Sequence, residues 1–233
     1  IVRNGCATPF FRGQSNSSWN LTPGLGREVT YDPNVEREMY TEFRKRGAHL
    51  ISDAKTDWDI LYLMQHHGVP TRLLDWSESF ANALYFALPE EVSIDETRTG
   101  RLYILDTSHL NYAETATNSI VTLNAKFPAG YEHYFMNESH DEVYPGFPRA
   151  VAVGGLSTSS RIYAQRGVFT IHGDPISPLE DICPQAIQYI DIPSDAATIR
   201  RIDMFLWLLG INRFSVYQDL DSLGTYIKDT NMF

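Results

Sequence analysis

The chain has 233 residues, of which 43% are hydrophobic, and its formal net charge at pH 7 is −10. The hydrophobic fraction is that of a globular protein, and no apolar run approaches the roughly 20 residues that a membrane span requires. The acidic charge repels phosphate backbones and argues against a dedicated nucleic-acid-binding protein. There is no signal-peptide pattern, and the two cysteines, Cys6 and Cys183, suit reduced thiols, so the sequence predicts a cytoplasmic protein.

The first half of the chain predicts short strands and amphipathic helices. The strands are expected at residues 10–13, 71–76 and 100–107. The helices are expected at residues 34–53, 57–67 and 78–88. Asp32-Pro33, Asp57 and Ser77 are residue types that start such helices, and Gly68 is placed to end the second one in a left-handed conformation.

The second half predicts three further strands and two helices. The strands are expected at residues 149–153, at 161–172 with a turn at Arg166-Gly167, and at 186–192. The helices are expected at residues 195–209, between Ser194 as cap and Gly210 as stop, and at 220–228. Residues 109–148 are irregular and predict no element. Because strands and helices mix without a regular βαβ alternation, the sequence predicts an α+β fold, with a mixed or antiparallel sheet core and flanking helices.

Arg12 is the first candidate for a functional residue. It stands at the end of the first predicted strand, directly before Gly13. An arginine there offers a planar, two-pronged donor to a phosphate or a carboxylate, and a glycine beside it lets the backbone approach a ligand closely. A surface arginine next to a turn glycine is the alternative that this spacing leaves open.

The second candidate is the block at residues 65–76, in which polar side chains crowd a helix end, a proline turn and a buried strand. Within it, Arg72 and Asp75 either form a buried ion pair that orders the strand or take part in chemistry. His66 and His67 are adjacent, so on a helix they point about 100° apart and do not easily bind one metal ion together. The spacing therefore predicts no metal site.

Two later segments are weaker candidates. Residues 154–161 form a run rich in glycine and hydroxyl groups, which either holds phosphate through backbone amides or is a solvated loop. In the predicted strand that begins at Arg161, alternation aligns Arg161, Tyr163 and Gln165 on one side. This polar row fits either a cleft wall or a solvent-exposed face.

Four blocks of the sequence resemble the FRG domain family. The first two are Phe11-Arg12-Gly13-Gln14, followed by Trp19, Leu21, Pro23 and Arg27, and the block at 65–76, followed by Ala83-Leu84-Tyr85-Phe86-Ala87. The other two are residues 161–169 and residues 209–223. The likeness spans residues 10–227, so the chain of residues 1–233 is identified as a single FRG-like domain.

The order of these blocks is also similar to the ADP-ribosyltransferase fold. In those enzymes an aromatic-Arg-Gly segment on the first strand binds the phosphates of NAD, and a later strand carries a catalytic Glu or Gln. The resemblance implies that Arg12 clamps the diphosphate and that Gln165, with Arg72 and Asp75, carries the catalysis. It also implies an NAD-binding set, one of whose aromatic rings stacks on nicotinamide. That set is Arg12, Gly13, Gln14, His66, Thr71, Trp76 and Tyr85.

The resemblance therefore implies an enzyme that uses NAD as a substrate and transfers ADP-ribose to a protein or an RNA. Its setting would be that of a bacterial or phage-related toxin or defence effector, with an antitoxin or an additional domain as a further partner and no membrane. Two alternatives stay open. One is a non-catalytic module that binds a nucleotide or recognises a partner, and the other is a hydrolase or nuclease that uses His66, Arg72 and Asp75.

Overall fold

The computed structural model describes residues 8–27, 31–51, 54, 56–89, 99–123, 149–154 and 160–231. Within these ranges six strands form one antiparallel sheet, flanked by helices. The strands are β1 (Phe10–Gln14), β2 (Leu73–Ser77), β3 (Thr99–Leu105), β4 (Ala150–Val153), β5 (Gly167–His172) and β6 (Ile187–Pro193). The predicted α+β class, with a sheet core and flanking helices, is confirmed.

The helices range from single turns to four turns. They are α1 (Gly24–Arg27), α2 (Pro33–Gly47), α3 (Asp57–His66), α4 (Phe80–Ala87), α5 (Thr107–Thr115), α6 (Ser160–Ala164), α7 (Leu179–Ile182), α8 (Ala196–Leu208), α9 (Arg213–Tyr217) and α10 (Leu220–Asn231). A short 3-10 turn at Pro184–Ala186 leads into β6. The sequence did not predict the short helices α1, α5, α7 and α9, none of which exceeds nine residues, because an apolar repeat is hard to recognise over so few positions.

The sheet has the strand order β4-β5-β2-β1-β3-β6, and its two central strands barely pair. β1 and β2 are joined at one position, Phe11 with Ser77, whereas β1 pairs with β3 at five consecutive positions and β2 with β5 at five. The sheet is therefore two three-stranded halves with a split between β1 and β2. A split of this kind leaves strand edges that side chains or a ligand can occupy.

Apolar side chains cover both faces of the sheet. Along β2, Leu73 packs with α2 and α3 in one cluster, whereas Leu74 and Trp76 belong to a second cluster with Phe10. Neighbouring strand residues point to opposite faces, which is why one short strand serves two cores. A third cluster packs α4 and α8 against β3 and β6.

Gly13 allows α4 to lie directly on the sheet. A Cβ atom at Gly13 would fall 1.8 Å from the carbonyl oxygen of Ala83, and one at Gly100 would fall 2.1 Å from that of Ala87. Both distances are far inside van der Waals contact, so both glycines are required by the close approach of a helix to β1 and β3. The sequence assigned the glycine beside Arg12 to ligand approach, whereas the structure assigns it to helix packing.

Several predicted helix ends are confirmed. Asp32 caps α2 by accepting a hydrogen bond from the backbone of Asn34, with a proline in the first turn. Gly68 and Gly210 adopt positive φ angles of +77° and +74° directly after α3 and α8. A residue without a Cβ adopts this left-handed conformation at little cost, which is why glycine marks these ends in the sequence.

Three predicted caps are wrong by one or two residues. Thr56, not Asp57, caps α3 in a reciprocal arrangement with Asp59. Ser79 caps α4 where Ser77 was expected, and Asp195 caps α8 where Ser194 was expected. In each case two neighbouring residues are suitable capping types, and the tertiary position of the helix selects between them.

The strand predicted at 161–172 is wrong in its first half. Residues Ser160–Ala164 form α6, Arg166 turns the chain with a φ of 47°, and the strand occupies Gly167–His172. The predicted row of Arg161, Tyr163 and Gln165 on one side of a strand therefore does not form, since a helical turn separates these positions. Residues 155–159 of the glycine- and hydroxyl-rich run lie outside the described residues. The predicted role of this run in binding phosphate therefore stays a prediction.

Candidate functional site

A cleft of about 270 Å³ opens at the split in the sheet. Its walls come from β1, α3, β2, α4, the α6 region and β5. The lining residues are Phe11, Arg12, Gly13, Tyr62, Gln65, His66, Asp75, Trp76, Ser77, Ala83, Phe86, Ile162, Gln165 and Phe169.

Six of the ten predicted site residues line this cleft. They are Arg12, Gly13, His66, Asp75, Trp76 and Gln165. The remaining four, Gln14, Thr71, Arg72 and Tyr85, lie outside its lining. The fold therefore brings together residues up to 153 positions apart in the sequence, because β1, β2 and β5 are near neighbours in the sheet.

Arg12 is a half-buried arginine on the β1 side of the split. Its Nη1 donates a hydrogen bond of 2.6 Å to the backbone carbonyl of Asp75 and so bridges the two central strands. Its Nε is buried without a hydrogen-bond partner, and Arg12 forms no ion pair with a carboxylate in the described ranges. Burial lowers the pKa of the guanidinium. The Asp75 carboxylate opposes this lowering, and the charge of Arg27 adds to it.

Even so, an arginine stays protonated at neutral pH. A cation that is partly removed from water, with an unsatisfied donor and no ion pair within the described part of the chain, favours binding of an anion. The cleft therefore has an anion-binding group at its β1 edge.

Asp75 lies across the split and is exposed to solvent at the cleft. The side-chain amide of Gln65 donates a hydrogen bond of 2.8 Å to its Oδ2. The buried hydroxyl of Thr71 in turn donates to Oε1 of Gln65 and accepts from the backbone of Leu73. This chain of hydrogen bonds fixes which way the Gln65 amide faces, and so presents a donor to the carboxylate.

Arg72 is buried on the other side of β2 and does not pair with Asp75, which corrects that expectation. Its Nε donates a hydrogen bond of 2.7 Å to Oε1 of Glu36 on α2, and both side chains are 1% exposed. Further donors of Arg72 reach the backbone carbonyl of His172 and the hydroxyl of Tyr31. Residues three apart on an extended chain point to opposite faces, which separates Arg72 from Asp75.

Gln165 enters the cleft from the turn after α6 rather than from a strand. Its side-chain amide donates a hydrogen bond of 3.2 Å to the carbonyl of Val216 on α9. Its backbone carbonyl accepts a hydrogen bond of 2.6 Å from the hydroxyl of Ser77, another lining residue. Gln165 is therefore held between β2 and α9, with its amide nitrogen already in use.

The aromatic wall of the cleft differs from the predicted one. The indole of Trp76 belongs to the core, where its Nε1 donates 3.1 Å to the hydroxyl of Thr170, and the residue is 4% exposed. The ring of Tyr85 contacts Phe86 and Tyr217 outside the cleft. Besides the edge of Trp76, the cleft is lined by the aromatic residues Phe11, Tyr62, Phe86 and Phe169, of which none was predicted.

A helical pattern could have indicated part of this wall. Ala83 and Phe86 are three residues apart on α4 and share a face, whereas Tyr85 is turned about 100° from Phe86. At the base of the cleft, the rings of Tyr62 and Phe169 lie with centroids 4.9 Å apart. The hydroxyl of Tyr62 donates to the carbonyl of Gly154, and burial raises its pKa.

The described residues contain no cluster of three or more His, Cys, Asp or Glu side chains that could hold a metal ion. Among the described helices, none has the length and apolar character needed to cross a membrane.

Comparison with known proteins identifies the first part of the chain. The FRG domain family model matches residues 8–96, which confirms the predicted FRG resemblance over that segment. The matched segment supplies every lining residue of the cleft except Ile162, Gln165 and Phe169. No curated protein and no solved structure matches the chain. The similarity to ADP-ribosyltransferases stays a prediction, as does the extension of the domain to residue 227.

Proposed function

We propose that the cleft binds NAD and transfers its ADP-ribose unit to an acceptor. The proposal depends above all on two groups that face each other across the split in the sheet. One is an arginine that forms no ion pair among the described residues, and the other is a carboxylate held by a dedicated donor. Arg12 supplies the cation, and Asp75, with Gln65 behind it, supplies the carboxylate. Four aromatic residues beside them supply flat apolar surface for a ring.

The size of the cleft limits which part of NAD it encloses. Its volume of about 270 Å³ is just below the roughly 300–1,000 Å³ of sites that bury drug-sized ligands. That volume suits nicotinamide and its ribose, and not the whole dinucleotide. The diphosphate would then lie at the mouth, where Arg12 binds phosphate oxygens through charge-assisted hydrogen bonds.

The chemistry requires breaking one glycosidic bond. The bond between C1′ of the ribose and N1 of nicotinamide breaks, and its electron pair leaves with nicotinamide. The acceptor nucleophile then forms a bond to C1′ and loses its proton to solvent. The intermediate charge on the ribose resembles that in glycoside hydrolysis, where a nearby carboxylate stabilises it.

Asp75 is the group in the lining with the required negative charge. Gln165 is neutral, and we assign it to a ribose hydroxyl, which it would bind through its amide oxygen. In this assignment Arg72 and Thr71 stabilise the site from outside and do not touch the substrate. The acceptor would be a protein or an RNA, as in a toxin or defence effector.

A non-catalytic nucleotide-binding module is the second candidate. One observation favours it: among the described residues that line the cleft, Asp75 is the single acidic one. A second carboxylate to activate the acceptor would have to come from the acceptor itself. Such a module would bind NAD or ADP-ribose without releasing nicotinamide.

Release of nicotinamide from NAD, followed by chromatography with and without cell lysate, tests the proposal. We expect Asp75→Asn to lower the rate roughly 100-fold while NAD affinity by calorimetry changes little, since electrostatic groups of this kind contribute about that much. We expect Arg12→Met to weaken NAD binding roughly 10- to 100-fold, because the variant loses one or two charge-assisted hydrogen bonds to the ligand. Arg37→Met, an exposed arginine on α2, is the matched control.

The outcomes separate the candidates. Saturable binding that depends on Arg12, with no nicotinamide released by the wild-type chain, supports the binding module and overturns the transferase. Absence of both binding and release, with the protein folded, overturns both. A release rate that Asp75→Asn leaves unchanged removes Asp75 from the chemistry.

A further inference from the structure

The outer face of α8 is an apolar surface at the end of a helix whose inner face is already packed. Leu206 on the inner face packs in the cluster that contains residues of α4 and β6, and Ile199 is also buried. The outward side chains at the C-terminal end are between 50% and 67% exposed. They are Met204, Phe205, Trp207, Leu208 and Leu209.

The area of this patch is at the upper end of what a monomer normally exposes. With roughly 200 Å² for each large side chain, the five residues expose on the order of 600 Å². The largest apolar patch on a typical monomer is about 300–600 Å² and often functional. A standard interface buries about 800 Å² on each partner, so the patch with its polar rim matches one side of a dimer interface.

The sequence of α8 is complementary to itself when it runs antiparallel. Arg200 and Trp207 are exposed and seven residues apart, so they lie on the same side of the helix two turns from each other. Arg201 and Phe205 are four residues apart on the opposite side of the patch. Met204, between the two pairs, lies at the centre of the exposed face.

An antiparallel second helix therefore sets each arginine against an aromatic ring. With Met204 facing Met204 of the other copy, Arg200 of one helix lies on the same side as Trp207 of the other and within one residue of its level. Arg201 lies on the same side as Phe205 and two residues from its level, a distance that a long arginine side chain spans. A guanidinium over an aromatic face is attractive, more so as water is removed. The arginines also lie beside the C-terminal end of the partner helix, where its dipole favours a cation.

We propose that the exposed face of α8 is a two-fold interface that binds a second copy of this chain. The contact is isologous, as closed dimers require, because the same patch serves both copies. Arg, Trp, Phe and Met are residue types enriched at such interfaces. The proposal does not depend on NAD chemistry.

Sedimentation equilibrium over a range of concentrations is the first test. We expect a dimer mass for the wild-type chain and a shift to monomer for Met204→Glu, with self-association weakened roughly 100-fold or more, because each dimer would bury two carboxylates at its centre. The matched control is Leu50→Glu, at an apolar residue that is 78% exposed in the turn after α2. A monomer mass at every concentration up to about 0.5 mM, or equal effects of the two variants, overturns the proposal.

A cross-linking variant tests the geometry without weakening the interface. Met204→Cys places two thiols at the crossing point, within reach of a disulfide under mild oxidation. We expect a covalent dimer for Met204→Cys and none for Leu50→Cys or for the wild-type chain under the same conditions. If the wild-type chain is a dimer in solution but Met204→Cys gives no more covalent dimer than Leu50→Cys, the interface lies elsewhere. That result overturns the assignment to α8.

Discussion

The side-chain amide of Gln65 donates a hydrogen bond of 2.8 Å to the carboxylate of Asp75 at the mouth of the cleft. Thr71, fully buried beneath it, donates to the other end of the same amide. The three residues belong to three successive elements of the chain: the end of α3, the turn after it and β2. The hydrogen bonds of the turn between α3 and β2 therefore fix the position of one carboxylate at the split in the sheet.

Removing this hydrogen bond is expected to lower turnover more than binding. With Gln65→Leu the Asp75 carboxylate loses its donor, and we expect kcat for nicotinamide release to fall roughly 10- to 100-fold with little change in KM, since a misplaced catalytic group costs about that much. Thr71→Val is expected to act in the same direction and Thr71→Ser to retain activity. Gln185→Leu, an exposed glutamine, is the control. A fall in melting temperature that tracks the loss of kcat would assign Gln65 to stability instead.

The buried pair of Arg72 and Glu36 is expected to act on stability. Glu36→Gln leaves a buried guanidinium without its counter-charge, and we expect a loss of about 3–5 kcal/mol in the free energy of unfolding in urea. The double variant Glu36→Leu with Arg72→Met is expected to be more stable than the sum of the single losses predicts. Glu42→Gln breaks the exposed pair with Arg46 and should have no measurable effect. Additive single losses would contradict coupling between the two side chains.

Buried His172 is expected to make the protein less stable in acid. Burial, and then the charge of Arg72, lower its pKa to about 3, with Asp174 opposing them. The unfolded chain takes up a proton near pH 6.5 and the folded chain does not, so the free energy of unfolding falls as the pH falls between these values. His172 contributes about 1.4 kcal/mol per pH unit to this fall in the free energy of unfolding.

His172→Gln keeps a partner for the hydroxyl of Thr170, which lies 3.0 Å from Nε2 of the histidine. We expect urea unfolding of this variant to depend less steeply on pH than that of the wild-type chain between pH 6 and pH 4. Other groups titrate in both proteins, so the difference between the two curves is the quantity to compare. Parallel curves would mean that His172 is protonated in the folded state.

Gly13 is expected to matter for folding rather than for ligand approach. Gly13→Ala would force α4 away from β1, and we expect a loss of about 3 kcal/mol or more, at the upper end of what overpacking costs. Gly47→Ala is the matched control, because a Cβ there meets its nearest neighbour at an ordinary 3.7 Å. A stable Gly13→Ala protein that fails to bind NAD would instead support a direct role at the ligand.

The sequence predicted the parts of this fold that depend on neighbouring residues. Repeating apolar positions indicated α2, α3 and α8, and Gly68 and Gly210 marked two of their ends, because backbone conformation at these sites depends on the residue itself. Short elements among irregular aromatic residues were missed. In the segment at 161–169 the alternation of polar and apolar residues was compatible with a strand, and packing against α9 and β5 selects a helical turn instead.

The order of motifs along the chain was enough to determine the FRG resemblance and to single out Arg12 and Asp75. It could not determine what each side chain contacts, since that depends on which strands are neighbours and which face each residue takes. The tertiary structure decided that Arg72 pairs with Glu36 and that Gln65 holds Asp75. It also decided that α4 occupies the space beside Gly13, that the indole of Trp76 is bonded within the core, and that Phe86 rather than Tyr85 lines the cleft. The physical reason is that a strand residue and its contacts are separated by long stretches of sequence, and the pairing of β1 with β2 at a single position is set by the whole sheet.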